Sequence, residues 1–600
     1  MTATVTPAKA GKPGKAAKAA KQSPRGSAPE GPARGDLEIP SRPVPVQKIA
    51  GGVVLLAMLV FGAYSLSRMG FDFGYLTSAA KSVRAFFGTT NNTLSFPSVP
   101  NLIYLAGLTI GVVVLGTIIA ALISIPVAYI AAANTTPSPW LHWLGRAIGV
   151  LTRAVPDVVI AFSVSLMFAL GSTLPGVIAI GIHSIGMISK LFADAIEQID
   201  EGPRLAIRAA GGSKAQEFWA GVFPQVVPSW VATTLHRFDI NIRGSAILGY
   251  AGVGGLGYAM SLAFNQFNYG RGLGIALVIF VMCIVLEIIS STVRRNLLGI
   301  QPTGKGIGER IVRAATRNRP VPQASPSRPT GAQSSAASIE AAMRRPWTRE
   351  RVRDTAWVVA ALVFVGLSYW WSQVNPGQIM WKYVLPGITS FWPPSFGQAG
   401  ATAYLNSVVV TLELAFAAAL VAIVFSLVIG SFAARNVAPN GVVRNIFRVI
   451  LTLLRGIPEL IVALFLIVIV GLGPVPGFIA LTIGGVGLLG KLIADSFEEV
   501  PNGPETALSA AGATRSQRYV SATLPQGLPS LIGNSLYLVD TNIRSAVLLG
   551  VVGAGGIGYY LTIASPQLNQ HGEVTVLVAF LIVVVLVIEG IAAWLRSVFK

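Results

Sequence analysis

Across its 600 residues the chain states one pattern twice. Lys190, Leu191, Ala193 and Asp194 return 301 positions later as Lys491, Leu492, Ala494 and Asp495. The same separation carries Gly202-Pro203 to Gly503-Pro504, Ala209-Ala210-Gly211 to Ala510-Ala511-Gly512, and Pro224-Gln225 to Pro525-Gln526. It also carries Asp239, Asn241-Ile242-Arg243 and Gly252 to Asp540, Asn542-Ile543-Arg544 and Gly553. Upstream the separation is 302: Asn134, Arg153, Pro156 and Asp157 match Asn436, Arg455, Pro458 and Glu459. Shared composition aligns apolar runs loosely, but it holds no fixed register through charged, glycine and proline positions. The chain is therefore two copies of one unit, and any fold assigned to one half must suit the other.

The unit is built for a bilayer. Hydrophobic residues make up 53% of the chain and charged residues 12%, where soluble domains carry about a quarter charged. The first half offers apolar segments at 49–66, 102–133, 148–170, 177–199, 245–264 (Gly-rich) and 273–291; the second at 356–371, 408–432, 449–470, 478–497, 546–563 and 574–595. Most approach the roughly 20 residues that cross the hydrocarbon core as a helix. The net charge of +20 is concentrated outside them: residues 1–48 carry +6 and residues 294–354 carry +9. Basic flanks of this kind mark cytoplasmic segments. With both stretches cytoplasmic, each half crosses an even number of times, so six spans are expected and the halves are parallel repeats about an axis along the membrane normal. Arg68, Lys81 and Arg84 then fall in an external segment.

The run at 49–66 follows 48 polar residues, too late for a cleaved signal. Residues 1–48 are expected to be a disordered, solvated basic tail on a cytoplasmic N-terminus, without a nucleic-acid role. The domain plan is tail 1–48, transmembrane domain 49–297, basic cytoplasmic linker 298–353 and transmembrane domain 354–600. The single cysteine, Cys283, lies in an apolar run, which excludes a disulfide scaffold.

Between the fourth and fifth apolar segments each half carries a polar stretch of about 30 residues, cytoplasmic by the same topology. In the second half it runs Glu505-Thr506-Ala507-Leu508-Ser509-Ala510-Ala511-Gly512, with Pro525 thirteen positions after the glycine. In the first, Ala206, Ala209, Ala210 and Gly211 precede Pro224 at the same spacing. Small residues, a glycine and then a proline predict a helix, a tight turn and a second helix. A smooth alanine-rich helix suits docking into a partner's groove; an ordinary connecting loop is the plainer reading.

Gly512, nine residues, then Ala522-Thr523-Leu524-Pro525 resemble the cytoplasmic loop of ATP-binding-cassette importer permeases. Asp540-Thr541-Asn542-Ile543-Arg544-Ser545-Ala546, Leu549-Gly550 and Gly553-Ala554-Gly555-Gly556-Ile557-Gly558 are similar to the phosphonate-uptake permeases, and Asp239 to Gly257 carry the same signature in the first half. The resemblance covers both halves and implies an all-α integral membrane protein, two such permeases fused in tandem. It implies that the loop docks in a cleft of an ATPase subunit, and that two copies of that ATPase hold the ATP and magnesium, with no cofactor bound by this chain. It further implies an external substrate-binding protein, a phosphonate or related oxyanion such as phosphate as cargo, and residence in a bacterial inner membrane. The family's loop starts with a Glu six residues before the glycine; those positions here are Leu205 and Thr506, with Glu505 one place early.

Charges inside spans cost at least about 2.5–3.5 kcal/mol, so each is a functional candidate. Arg153 and Asp157 stand four apart and are expected on one helical face, as are Arg455 and Glu459; Lys190 with Asp194 and Lys491 with Asp495 repeat the spacing. Opposite charges four apart also simply neutralise each other. Arg243 and Arg544, with Asp239, Asn241, Asp540 and Asn542 beside them and a Gly-rich break following, either meet an anion in bidentate fashion or brace the neighbouring loop.

Several motifs carry nothing. Gly252-x-Gly254-x-x-Gly257 and Gly553-x-Gly555-x-x-Gly558 match a dinucleotide fingerprint but follow no strand; in a membrane helix such glycines permit close approach or a break. Gly299 and Gly304-Lys305-Gly306 mimic a phosphate loop without its Ser/Thr. The four histidines (His142, His183, His236, His571) lack metal-ligand spacing, so no metal site is expected. The alternative to an ATP-driven importer is an ion-coupled transporter built from parallel repeats; it requires titratable midplane carboxylates, whereas the acids here have basic neighbours.

Overall fold

The computed structural model describes residues 46–70, 93–169, 171–298 and 349–599. Most of the basic tail and linker, together with Lys81, Arg84 and the phosphate-loop mimic, lie outside the described residues. The α-helices of eight or more residues are numbered here in chain order. The first half holds α1 (Val46–Arg68), α2 (Val99–Ala131), α3 (Pro139–Ala154), α4 (Asp157–Ser165), α5 (Leu174–Glu197), α6 (Glu201–Ala209), α7 (Phe223–Leu248), α8 (Leu256–Asn265) and α9 (Tyr269–Leu298). The second holds α10 (Arg349–Ser372), α11 (Trp381–Thr389), α12 (Gly400–Ala433), α13 (Gly441–Gly456), α14 (Glu459–Val470), α15 (Pro474–Glu499), α16 (Asn502–Ala510), α17 (Leu524–Leu549), α18 (Ile557–Ala564) and α19 (His571–Val598). Among the described residues the only β pairing is an isolated bridge between Phe168 and Ile379.

Among the described residues nine helices are long and apolar enough to cross a membrane, or twelve if each of three bent pairs is one span, which is six per half. The bends correct two expectations. α3 and α4 meet at 79°, and α13 and α14 at 74°. Proline disfavours the helical conformation in the residue before it, and Val155 and Ile457 are accordingly extended (ψ 121° and 120°) ahead of Pro156 and Pro458. Arg153 and Asp157 therefore sit on different helices rather than on one face, and so do Arg455 and Glu459. The fifth span also moves. It is not 245–264 alone but the pair 214–251 and 256–265, bent by 47° at the break between them; α7 is partly buried in protein and so need not be apolar throughout. The Gly-rich segment is the break itself: Gly252 and Gly255 have φ of +82° and +140°, and Gly553, Gly555 and Gly556 are likewise positive, a conformation that only glycine adopts freely.

The halves exchange their first helices. α1 packs on α12 and α10 packs on α2. Phe61 meets Phe416 edge-on at 5.1 Å, and Arg68 pairs with Glu413 at 2.9 Å. On the other side the α2 backbone lies so close to α10 that a Cβ on Gly111 would stand 2.7 Å from the Ser368 carbonyl oxygen. Thr173 Oγ1 donates to the Ser372 carbonyl at 2.8 Å. Gly111→Leu should therefore force α10 off α2 at an overpacking cost of about 1–3 kcal/mol, read as a lower Tm in detergent. Gly366→Leu, on the open face of α10 where nothing lies within 4 Å, should leave Tm unchanged; equal effects would refute the exchange.

Candidate functional site

The first half carries a buried polar cluster. Asn241 on α7 donates through Nδ2 to Thr117 Oγ1 at 2.9 Å and to Ser184 Oγ at 3.0 Å. Arg237, one turn earlier, donates from Nε to the same Ser184 oxygen at 3.0 Å and is 7% exposed. Thr117, Ser184, Arg237 and Asn241 are all buried, so their mutual bonds replace those that water would supply. At the repeat-related positions the second half carries Ala419, Gly485, Leu538 and Asn542. Only the asparagine survives, and its Nδ2 donates to the Ala415 carbonyl at 3.4 Å.

The second half contributes a different charge. Arg544 on α17 lies within electrostatic reach of both Arg237 and His183, and Asp157 and Tyr537 act on Arg237. The charge of Arg544 in one half thus acts on Arg237 in the other. Arg544 also pairs with Asp540 one turn away, as its spacing predicts. Its repeat partner Arg243 reaches Glu287 on α9 at 3.5 Å, while Asp239 Oδ2 accepts from Ser290 at 3.1 Å.

The bends place the carboxylates. Asp157 opens α4 and accepts from the Val158 amide at 2.9 Å. The broken helix frees the Val155 carbonyl, and His183 Nδ1 satisfies it at 2.9 Å. In the second half Gly484 replaces that histidine, and the longer Glu459 fills the space: a Cβ on Gly484 would come 2.6 Å from Glu459 Oε1. Further along, Arg153 is joined not to Asp157 but to Glu589 on α19, a bridge between the halves. Among the described residues no ion pair joins Lys190 to Asp194, and Lys190 is exposed. Arg455 and Lys491 are half-buried, and both have interaction partners.

Arg237, Ser184, Thr117 and Glu589 are the site residues that sequence reasoning missed. Arg237 was legible as a charge within a helix, but its repeat position holds Leu538, so the shared pattern did not single it out.

The polar loops are helix–turn–helix units. α6 and α16 bury none of their residues, so Ala206, Ala209, Ala210, Ala507, Ala510 and Ala511 form bare surfaces. Gly211 and Gly512 turn the chain, each at φ +81° with nothing within 4 Å of a Cβ. Ser213 with Gln216, and Thr514 with Gln517, then close capping boxes. Pro224 and Pro525 begin α7 and α17, where a missing amide costs nothing. Asn134 Nδ2 and Asn436 Nδ2 hold the carbonyls of Ile196 and Phe497, each at 2.8 Å, tying the end of α2 to α5 and the end of α12 to α15; Asn134 also donates to Glu201 of α6 at 3.0 Å. The internal bracing differs. Arg208 grips Glu217 through two bonds of 2.8 and 3.2 Å, which raise the Arg208 pKa above its ordinary value. In the second unit Arg518 stands 4.0 Å from Glu505.

A family model described as the binding-protein-dependent transport system inner membrane component matches residues 124–298 and again residues 426–598. The chain belongs to this family. The two matches begin 302 residues apart, in the register of the internal repeat. The chain is 37% identical over 494 residues to the phosphate-import permease protein PhnE of Mycolicibacterium smegmatis, covering 82% of this chain and 84% of that one. It is 37% identical over 208 residues to the phosphite transport system permease protein PtxC of Stutzerimonas stutzeri, covering 35% of this chain and 74% of that one. It is also 34% identical over 121 residues to the putative cryptic phosphonate transport system permease protein PhnE2 of Escherichia coli, covering 20% and 99%. As a member of its family the chain is a multi-pass inner-membrane transport subunit and not an enzyme, fused from two family domains.

Proposed function

We propose that the chain forms the translocation pathway of an ATP-driven importer for a phosphorus oxyanion, phosphate or a phosphonate. The observation that carries this reading is the buried Arg237 on α7, which donates to Ser184 beside Asn241 and feels the charge of Arg544 from the other half. Guanidinium suits tetrahedral oxyanions because its N–H groups are planar and fixed. The names of the relatives, which concern phosphate, phosphite and phosphonate, support the same cargo. An external binding protein delivers the solute, and α6 and α16 each receive one copy of a cytoplasmic ATPase. Closure of the two ATPases then rocks the halves, and the N-terminus lies in the cytoplasm with both loops.

The test is uptake of labelled phosphate and of a labelled phosphonate by vesicles that hold the chain with its ATPase and binding protein. ATP-dependent accumulation is expected for at least one of them, with none for labelled sulfate. Uptake that continues without ATP would favour the ion-coupled reading and defeat this one.

A further inference from the structure

A second basic feature lies away from Arg237, where α3 and α5 meet α19 of the other half. It is a cavity of about 220 Å³ whose wall includes Arg146, Arg153, Ser189, Lys190 and Glu589. The space exists because side chains are missing. Gly145 and Gly149 line it, where the second half has Phe447 and Leu451. In that half Leu451 is 4% exposed and approaches within 2.5 Å of where a Cβ on Gly490 would stand, so the equivalent volume is filled. In the first half the residue matching Gly490 is Ser189, and a Cβ on Gly149 would lie 3.4 Å from its hydroxyl.

The wall carries more donors than the protein uses. Arg153 is joined to Glu589, yet its buried Nε has no acceptor. Among the described residues Ser189 makes no hydrogen bond and Lys190 no ion pair. Buried donors in native structures are nearly always satisfied, and with Arg146 matched by Glu197 and Arg153 by Glu589, Lys190 is the unmatched positive charge of the wall. The carboxylate adds selectivity. Glu589 accepts hydrogen bonds, so it tolerates an oxyanion that keeps a proton and repels one that has none.

We infer that this cavity binds a protonated tetrahedral phosphorus oxyanion, held by Arg153, Ser189 and Lys190, in competition with Glu589 for Arg153. The site lies near the loop end of the bundle. Lys190 is seven residues before Glu197, about 10 Å along α5 at 1.5 Å per residue, and Glu197 takes Arg146 at 3.0 Å beside the start of α6. Because the Arg153–Glu589 bridge joins the halves, an anion that loosens it changes their relative stability, and by linkage the state of the halves changes the anion's affinity. This inference stands on the cavity wall and does not require that the transported solute be the same anion. Free phosphate and a phospholipid headgroup share the required chemistry.

The test is calorimetric titration of inorganic phosphate into the full chain in nanodiscs of phosphatidylcholine. One phosphate per chain is expected at this cavity, with sulfate at least tenfold weaker. Gly149→Leu, which fills the space as Leu451 does, and Lys190→Gln, at an exposed position, should each weaken phosphate at least tenfold. Glu589→Gln should narrow the preference over sulfate, because an amide also donates. Nanodiscs containing phosphatidic acid separate the sources: phosphate binding that is lost there, with phosphatidic acid retained by the parent chain and not by Gly149→Leu, identifies the headgroup as occupant of the same site. Phosphate affinity unchanged in both Gly149→Leu and Lys190→Gln overturns the inference, and so does a phosphate site that Arg237→Leu alone removes. That last result would leave the pathway reading standing, whereas failed uptake with intact cavity binding would defeat only the pathway reading.

Discussion

Arg237→Leu is expected to lower ATP-driven uptake at least a hundredfold while leaving the chain in the membrane. Leucine is the residue the other half carries at this position, where Leu538 is 1% exposed, so the repeat already accommodates its shape. What the substitution removes is a buried guanidinium and its bond to Ser184. A hydrogen bond to a charged group contributes about 1.5–3 kcal/mol, and about 1.4 kcal/mol is a factor of ten. Loss of the bond together with the field on an anion reaches two orders of magnitude. Asp157 interacts with Arg237 as well, and a carboxylate left without its cation destabilises the fold for reasons unrelated to cargo. The double variant Arg237→Leu with Asp157→Asn separates the two roles. If Arg237 meets the anion, the double variant regains thermal stability but not uptake. Recovery of uptake to the parent rate would reduce Arg237 to a counter-ion and remove it from the pathway.

The parts of this molecule that the sequence made legible are those set by periodicity and register. The repeat required two equivalent helical units, and hydropathy found most of the spans, because lipid-facing helices such as α1 must be apolar whatever they pack on. The helix–turn–helix loops were readable because Gly211 and Gly512 stand where only glycine adopts the turn without strain. The bends at Val155 and Ile457 were also readable, since Pro156 and Pro458 dictate them, but apolar residues continue across both and hide the break. Two features left no local trace. The exchange of α1 and α10 depends on contacts between residues far apart in the chain, from Thr173 with Ser372, 199 positions apart, to Phe61 with Phe416. The polar cluster sits on α7, where burial against protein removes the apolar requirement, so a hydropathy window passes over Arg237 and Asn241. The departures from the repeat were the useful signal: Arg237 against Leu538, His183 against Gly484 and Gly149 against Leu451 mark the places where the halves have taken different tasks.

Ala510→Arg is expected to abolish co-purification of the ATPase and ATP-driven uptake together, with the membrane domains unaffected. The residue lies at the end of α16, none of whose side chains is buried, so the free chain loses no packing. Arginine is nearly as good a helix former as alanine, so the helix itself persists. Only a partner seated on the alanine face meets the added side chain, and a clash at the centre of such a contact costs more than about 2 kcal/mol, beyond thirtyfold in Kd. Gly512→Arg is a poorer probe. At φ +81° a non-glycine residue costs about 1–2 kcal/mol of backbone strain, which mixes turn misfolding with lost docking. Ala209→Arg makes the same change on α6, yet the two loops are braced differently. The fork from Arg208 to Glu217 locks the first unit, while Arg518 and Glu505 stand 4.0 Å apart in the second. A locked helix yields less to an intruding side chain, so Ala209→Arg should weaken assembly at least as severely as Ala510→Arg. If both variants assemble with the ATPase at the parent affinity, α6 and α16 are connecting loops, and the ATPase docks elsewhere on the chain.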